Sequence, residues 1–148
     1  MKYDDASWHY GGDFPKDLPA EAGATHIGMF VAWAMFNGLA GMIHTDDFPD
    51  DLAKLRNREV SPGAWFIGAC DEKFTDEDLN EEGNAFAHAY YANDAGLLTG
   101  AATYLADYET AFPRQESLYH VPDGWETYEK IAPIISQRFS KWRCSGKD

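Results

Sequence analysis

The run from Thr25 to Ile43, THIGMFVAWAMFNGLAGMI, leaves this chain few ways to fold. Between Ile27 and Ile43 the only strongly polar side chain is Asn37. A helix that is apolar on every side belongs inside a protein or inside a bilayer. The run falls short of the roughly 20 apolar residues a membrane span needs. Gly28, Gly38 and Gly41 interrupt it, the charges around it are mostly acidic, and no basic cluster marks a cytoplasmic side. The expected fold is therefore all-α: a single compact domain, residues 1–148, of about five to six helices around a buried central helix at about residues 22–40. Residues 1–18 are expected as an irregular arm and 144–148 as a flexible tail.

A chain of 148 residues can bury a core of its own without disulfides or metal. Nine Phe, eight Tyr and five Trp argue against disorder. The two cysteines do not make a framework, since Cys70 lies in the apolar run AWFIGAC and Cys144 in a polar tail. No apolar leader follows Met1, so the expected compartment is the reducing cytoplasm.

Gly11-Gly12, Pro15 and Pro19 forbid a long helix near the N-terminus, while Trp8, His9, Tyr10 and Phe14 give that segment something to bury. After the central helix, DLAKLRNREV predicts a short amphipathic helix with Leu52 and Leu55 inward. Ser61-Pro62 is a helix opening for GAWFIGAC, because Ser caps and Pro fits the first turn. Thr75 with Asp76, Glu77 and Asp78 predicts the next start, with acids where the helix dipole favours them, and Leu79, Phe86, Ala89 and Tyr90 as the inner stripe. Helical spacing recurs over Leu97–Phe112 up to Pro113. It recurs again from Trp125 to about Arg143, where Pro133 is expected to kink or break the helix.

Charge is the outstanding feature of the composition. Asp and Glu number 25 against 12 Lys and Arg, a net charge of −13. Such a surface repels nucleic acid and anionic membrane and favours basic partners or cations, solubility alone being the alternative reading. Seven acids lie between Asp71 and Glu82 with Lys73 the only base among them. The segment lacks the Asp-x-Asp-x-Asp-Gly order of a calcium loop. Its acids are read first as a solvated helix N-terminus, where the dipole favours them, and otherwise as a partner-binding patch. The candidate contact residues are Asp71, Glu72, Asp76, Glu77, Asp78, Glu81 and Glu82, with Tyr90 and Tyr91 as aromatic anchors.

No catalytic residue is assigned. The weaker candidates are Asp5, His9 and His26, which would form an acid–base or metal site between the N-terminal arm and the central helix. HExxH, GxSxG, a phosphate-binding GK[ST] loop and GxGxxG are all absent, and no cofactor or resident metal is expected.

Three stretches, KYDDASWHYGGDFP, AGATHIGMFVAWAMFNGLAG and CDEKFTDEDLNEEGNAFAHAYY, resemble a family of small bacterial domains to which no activity is assigned. The resemblance covers roughly residues 2–110. In size, acidity and build, but not in any motif, the chain also resembles the immunity proteins of bacterial polymorphic toxin systems. That likeness implies a cytoplasmic inhibitor that binds a cognate toxin and masks its active site; the charge of this chain then calls for a basic surface on the toxin.

Overall fold

Helix α1, Thr25–Phe36, sits where its sequence demands: eleven of its twelve residues are buried. The computed structural model describes residues 2–9, 14–92 and 103–144. These are predominantly helical, with one two-stranded antiparallel sheet. Helix α1 is shorter than the apolar run. It ends at Asn37, whose side chain donates back to the Trp33 carbonyl, and Gly38 then adopts φ +74°. That left-handed conformation favours glycine. No described helix is long and apolar enough to cross a membrane.

The other helices pack around α1. Helix α2, Pro49–Arg56, turns Leu52 and Leu55 inward as their spacing predicts. Helix α3, Pro62–Cys70, is capped by the Ser61 hydroxyl and packs on α1 at closest range. A Cβ built on Gly28 would lie 2.8 Å from the Pro62 carbonyl and 3.1 Å from the Phe66 Cβ, so glycine is what lets the two helices touch. Helix α6, Trp125–Cys144, buries Tyr128, Ile131, Ile135, Phe139 and Trp142. It joins α1 through the Trp33 indole, which donates to Ser136 Oγ at 2.9 Å. Contrary to the expected break, α6 runs on through Pro133, whose exposed position lets the helix carry the lost backbone bond without burying an orphan group.

Two boundaries differ from the sequence reading. The helix expected at Thr75 is only a 3₁₀ turn, Asp76–Asp78, closed by a reciprocal box: Thr75 Oγ1 accepts from Glu77 N and Asp78 Oδ2 from Thr75 N. Asn80 then caps the true helix α4, Glu81–Tyr90. The periodic piece 97–112 resolves into helix α5, Tyr104–Ala111, capped by Thr103; the part of that expectation before residue 103 lies outside the described residues, as does the tail after residue 144.

The arm is also more regular than expected. Strand β1, Lys2–Asp5, pairs antiparallel with β2, Lys73–Thr75, in the register Lys2↔Thr75, Asp4↔Phe74. The register slips between Lys2 and Asp4, so Tyr3 and Asp4 are both buried instead of alternating. A bulge of this kind is how a strand re-aims a side chain. Asp71 and Glu72, both at positive φ, turn the chain from α3 into β2.

A polar clamp ties the far side together. Arg138 of α6 donates to both oxygens of Asp107 in α5, at 2.8 and 3.0 Å, and the Tyr90 hydroxyl of α4 donates to Asp107 Oδ2 at 2.6 Å. Both cysteines are free.

Candidate functional site

Strand β1, the turn after it and the first turn of α1 deliver three ligand-type side chains to one buried place. The bulge brings Asp4 inward, the 3₁₀ turn Ala6–Trp8 carries His9 back over it, and His26 rises from the start of α1. His9 Nε2 lies 2.7 Å from Asp4 Oδ1, and His26 Nε2 lies 3.8 Å from Asp4 Oδ2. The two imidazoles meet edge to face with ring centroids 4.6 Å apart. Around them, Tyr91 donates its hydroxyl to Asp4 Oδ2, Asp5 N donates to Asp4 Oδ1, and Tyr119 Oη is 2.9 Å from His9 Nδ1.

Burial alone would raise the Asp4 carboxyl, but the hydrogen bonds from His9 and Tyr91, with the electrostatic influence of His9 beside it, hold it below the usual carboxylate range. His26 is driven the other way. Complete burial, with His9 adding to it and Asp4 opposing, lowers its pKa to about 3, so the ring is neutral. Neither of its nitrogens has a hydrogen-bond partner. An unpaired buried polar group costs about 1–3 kcal/mol, so this ring is a costly feature of the core.

The sequence candidates at this place were Asp5, His9 and His26. His9 and His26 do meet, but Asp5 does not join them. Its carboxylate caps the 3₁₀ turn through Ser7 N and Ser7 Oγ and accepts from Lys2 Nζ at 2.8 Å. The acid that converges is Asp4. A regular strand would put Asp4 and Asp5 on opposite faces, and the bulge that chooses between them leaves no trace in composition or spacing.

Two further groups could hold a cation. His44 Nε2 lies 2.7 Å from Asp78 Oδ1 and 3.8 Å from the Cys70 sulfur, inside the fold. Burial first and Asp78 second push the Cys70 thiol far up, so it stays protonated and unreactive. At the surface, His120 Nε2 approaches Asp17 and Glu116 at 3.0 and 3.4 Å.

The residues predicted to meet a partner separate into two sets. Asp71, Asp76, Glu77 and Glu81 are exposed, whereas Glu72 and Glu82 are half-buried, Glu82 receiving both Arg143 donors at 2.9 and 3.0 Å. Asp78, Tyr90 and Tyr91 are corrections. Asp78 is buried under His44 and the Thr75 amide, Tyr90 is buried on Asp107, and the Tyr91 hydroxyl is committed to Asp4. The helical stripe that carries Tyr90 is a core stripe, Asp78 lies in the 3₁₀ turn before it, and Tyr91, just after α4, is half-buried.

Exposed apolar side chains lie elsewhere. Met42 is 72 % exposed and Phe48 is 52 % exposed, on either side of the π-helical turn Ile43–Asp47. Asp46, Asp47 and Asp50 are exposed beside them. Glu77 and Asp76 belong to the 3₁₀ turn packed against the same segment, where Gly41 N donates to Asp78 O at 2.9 Å and a Cβ on Gly41 would strike the Glu77 carbonyl. No Lys or Arg lies between Met42 and Asp51. The sequence holds this signal as HTDDFPDD, a loop composition in which one Phe has no inward-facing periodicity.

Neither the curated proteins nor the solved structures contain a match to the chain. The profile of one domain family does match, over residues 2–121, which takes in β1, the buried Asp4–His9–His26 cluster, the acidic turns and helices α1 to α5. The chain belongs to that family, described as a domain of unknown function, DUF7832.

Proposed function

We propose that the chain is an acidic protein-binding module whose partner presents a basic surface with an apolar anchor. The form that best fits its size and charge is an immunity or inhibitor protein that neutralises a cognate bacterial toxin by covering the toxin's active site. One observation carries this reading: Met42 and Phe48 stand largely in water within a segment whose exposed charges are all carboxylates. Binding hot spots are large apolar side chains ringed by groups that exclude water, and like-signed charge around them steers an oppositely charged partner. The contact surface is then the segment 42–51 with the turn 76–78, the exposed acids Asp71 and Glu81 lying further along.

A titration of the full chain with an amphipathic Lys/Leu peptide of about 18 residues tests this. Binding is expected to weaken at least about tenfold between low and half-molar salt, because exposed charges are screened within a few ångströms there. Phe48→Ala is expected to weaken it by roughly tenfold, about 1.4 kcal/mol. Trp8→Ala, at the equally exposed Trp8, leaves it unchanged. Affinity that ignores both Phe48→Ala and Met42→Ala contradicts the reading.

A further inference from the structure

We infer that Asp4, His9 and His26 form a binding site for one divalent transition-metal ion of the zinc class. Their ligand atoms, one carboxylate oxygen and two imidazole nitrogens, all lie within 4.8 Å of one another. Asp4 and His9 are joined by the turn Ala6–Trp8, whereas His26 comes from α1 and is brought to them by tertiary packing. Two imidazoles and a carboxylate with further positions open are the donor set of catalytic zinc and of non-haem iron, whereas calcium and magnesium select oxygen ligands alone.

The orphaned His26 ring is the second observation, independent of the first. It is completely buried, its nitrogens have no partner, and Nε2 is the atom directed toward Asp4. A core that needed only an apolar filler there would be better served by Leu or Phe, which carry no polar atom to strand. A neutral imidazole with an unused lone pair beside a carboxylate is the form that ligates a cation.

The surroundings are also those of a metal site. Ligating histidines hold their other nitrogen in a hydrogen bond, and ligating carboxylates are themselves hydrogen-bonded. Here His9 Nδ1 has the Tyr119 hydroxyl at 2.9 Å, while Asp4 has the Tyr91 hydroxyl and the Asp5 amide. Donors placed tetrahedrally at zinc bond lengths are about 3.3 Å apart. The observed separations, 2.7 Å from His9 Nε2 to Asp4 Oδ1 and 3.8 Å from His26 Nε2 to Asp4 Oδ2, reach the two different oxygens of the carboxylate and lie on either side of that value. Seating an ion therefore means parting His9 from Asp4 and drawing His26 closer to the carboxylate, by rotation of the side chains. The ion would replace the direct His9–Asp4 hydrogen bond and give His26 Nε2 a partner, leaving Nδ1 as it is. The side chain of His9 is 16 % exposed, against 0 % for His26, and so marks the side from which an ion enters.

The test is calorimetric titration of the untagged, chelator-stripped full chain with Zn²⁺, repeated with Co²⁺ in the visible spectrum. One equivalent is expected to bind, and Asp4→Asn and His9→Gln, both close in shape to the native residues, are each expected to weaken it at least about tenfold. Both variants are checked for native circular dichroism, which keeps the result readable even where His26→Ala fails to fold. The Co²⁺ complex should show d–d bands without a thiolate charge-transfer band. A thiolate band would place the ion at Cys70, His44 and Asp78, and loss of binding in His120→Gln would place it at the surface group; either outcome overturns the assignment. So does the absence of binding, or binding that neither variant weakens.

Discussion

Removing the Asp107 carboxylate with Asp107→Ala should destabilise the fold by about 3 kcal/mol. Two losses make up that figure. The Tyr90 hydroxyl is completely buried and donates to Asp107 at 2.6 Å, so it becomes an unsatisfied buried donor at a cost of about 1–3 kcal/mol. Arg138 loses a two-pronged partner, but a third of its side chain stays in water, so its share is nearer the roughly 1 kcal/mol of a partly exposed ion pair. For a chain of this length 3 kcal/mol lowers Tm by roughly 10 °C. Urea unfolding followed by tryptophan fluorescence measures it as a fall in the midpoint with an unchanged slope. The decisive arm is the double variant. With Asp107 already replaced, Tyr90→Phe removes the stranded hydroxyl and should restore about 1 kcal/mol, although in the native background it destabilises. A loss below 1 kcal/mol for Asp107→Ala, or a Tyr90→Phe effect of the same sign in both backgrounds, would refute the clamp.

Other outcomes follow from the same packing. Gly28→Ala should cost about 1–2 kcal/mol, read as a lower urea midpoint, because the new methyl meets the Pro62 carbonyl backbone and outweighs the gain in helix propensity. Pro133→Ala in exposed mid-α6 should stabilise by about 1–3 kcal/mol by restoring a helical hydrogen bond, read as a higher Tm. Burial raises the Tyr90 and Tyr108 hydroxyls well above their ordinary range, Asp107 adding to the first and Asp123 to the second. Their contribution is thus fully present below about pH 10, where unfolded tyrosine ionises. It falls as pH rises further, by about 1.4 kcal/mol per pH unit for each, and tyrosinate absorbance should appear only as the chain unfolds.

What the sequence made legible was governed by period and punctuation. The apolar run located α1, Ser61-Pro62 located the start of α3, and the threes and fours of α6 named its buried face, because each signal is local and backed by burial. The acidic turn misled for a physical reason. Thr75 with three following acids is a genuine capping box, but Leu79 leaves it in extended conformation and Asn80 caps afresh, a choice made by packing against Leu39 and Gly41. The stripe of Phe86, Ala89 and Tyr90 was rightly seen as helical, yet its tyrosine was assigned to a surface it never reaches. At the buried cluster two of three residues were legible as types, while the third depended on a one-residue bulge that exists only once β1 meets β2. Tyr91 and Tyr119 could not be placed there at all, since they come from positions 87 and 115 residues after Asp4.

The central claim is that the acidic segment around Met42 and Phe48 is the contact surface, and amide hydrogen exchange tests it most directly. The full chain is compared alone and saturated with the basic amphipathic peptide. Protection confined to residues 42–51 and 76–78 is the predicted result. Protection that spares those segments and appears instead on α4 or around Asp4, His9 and His26 would contradict it.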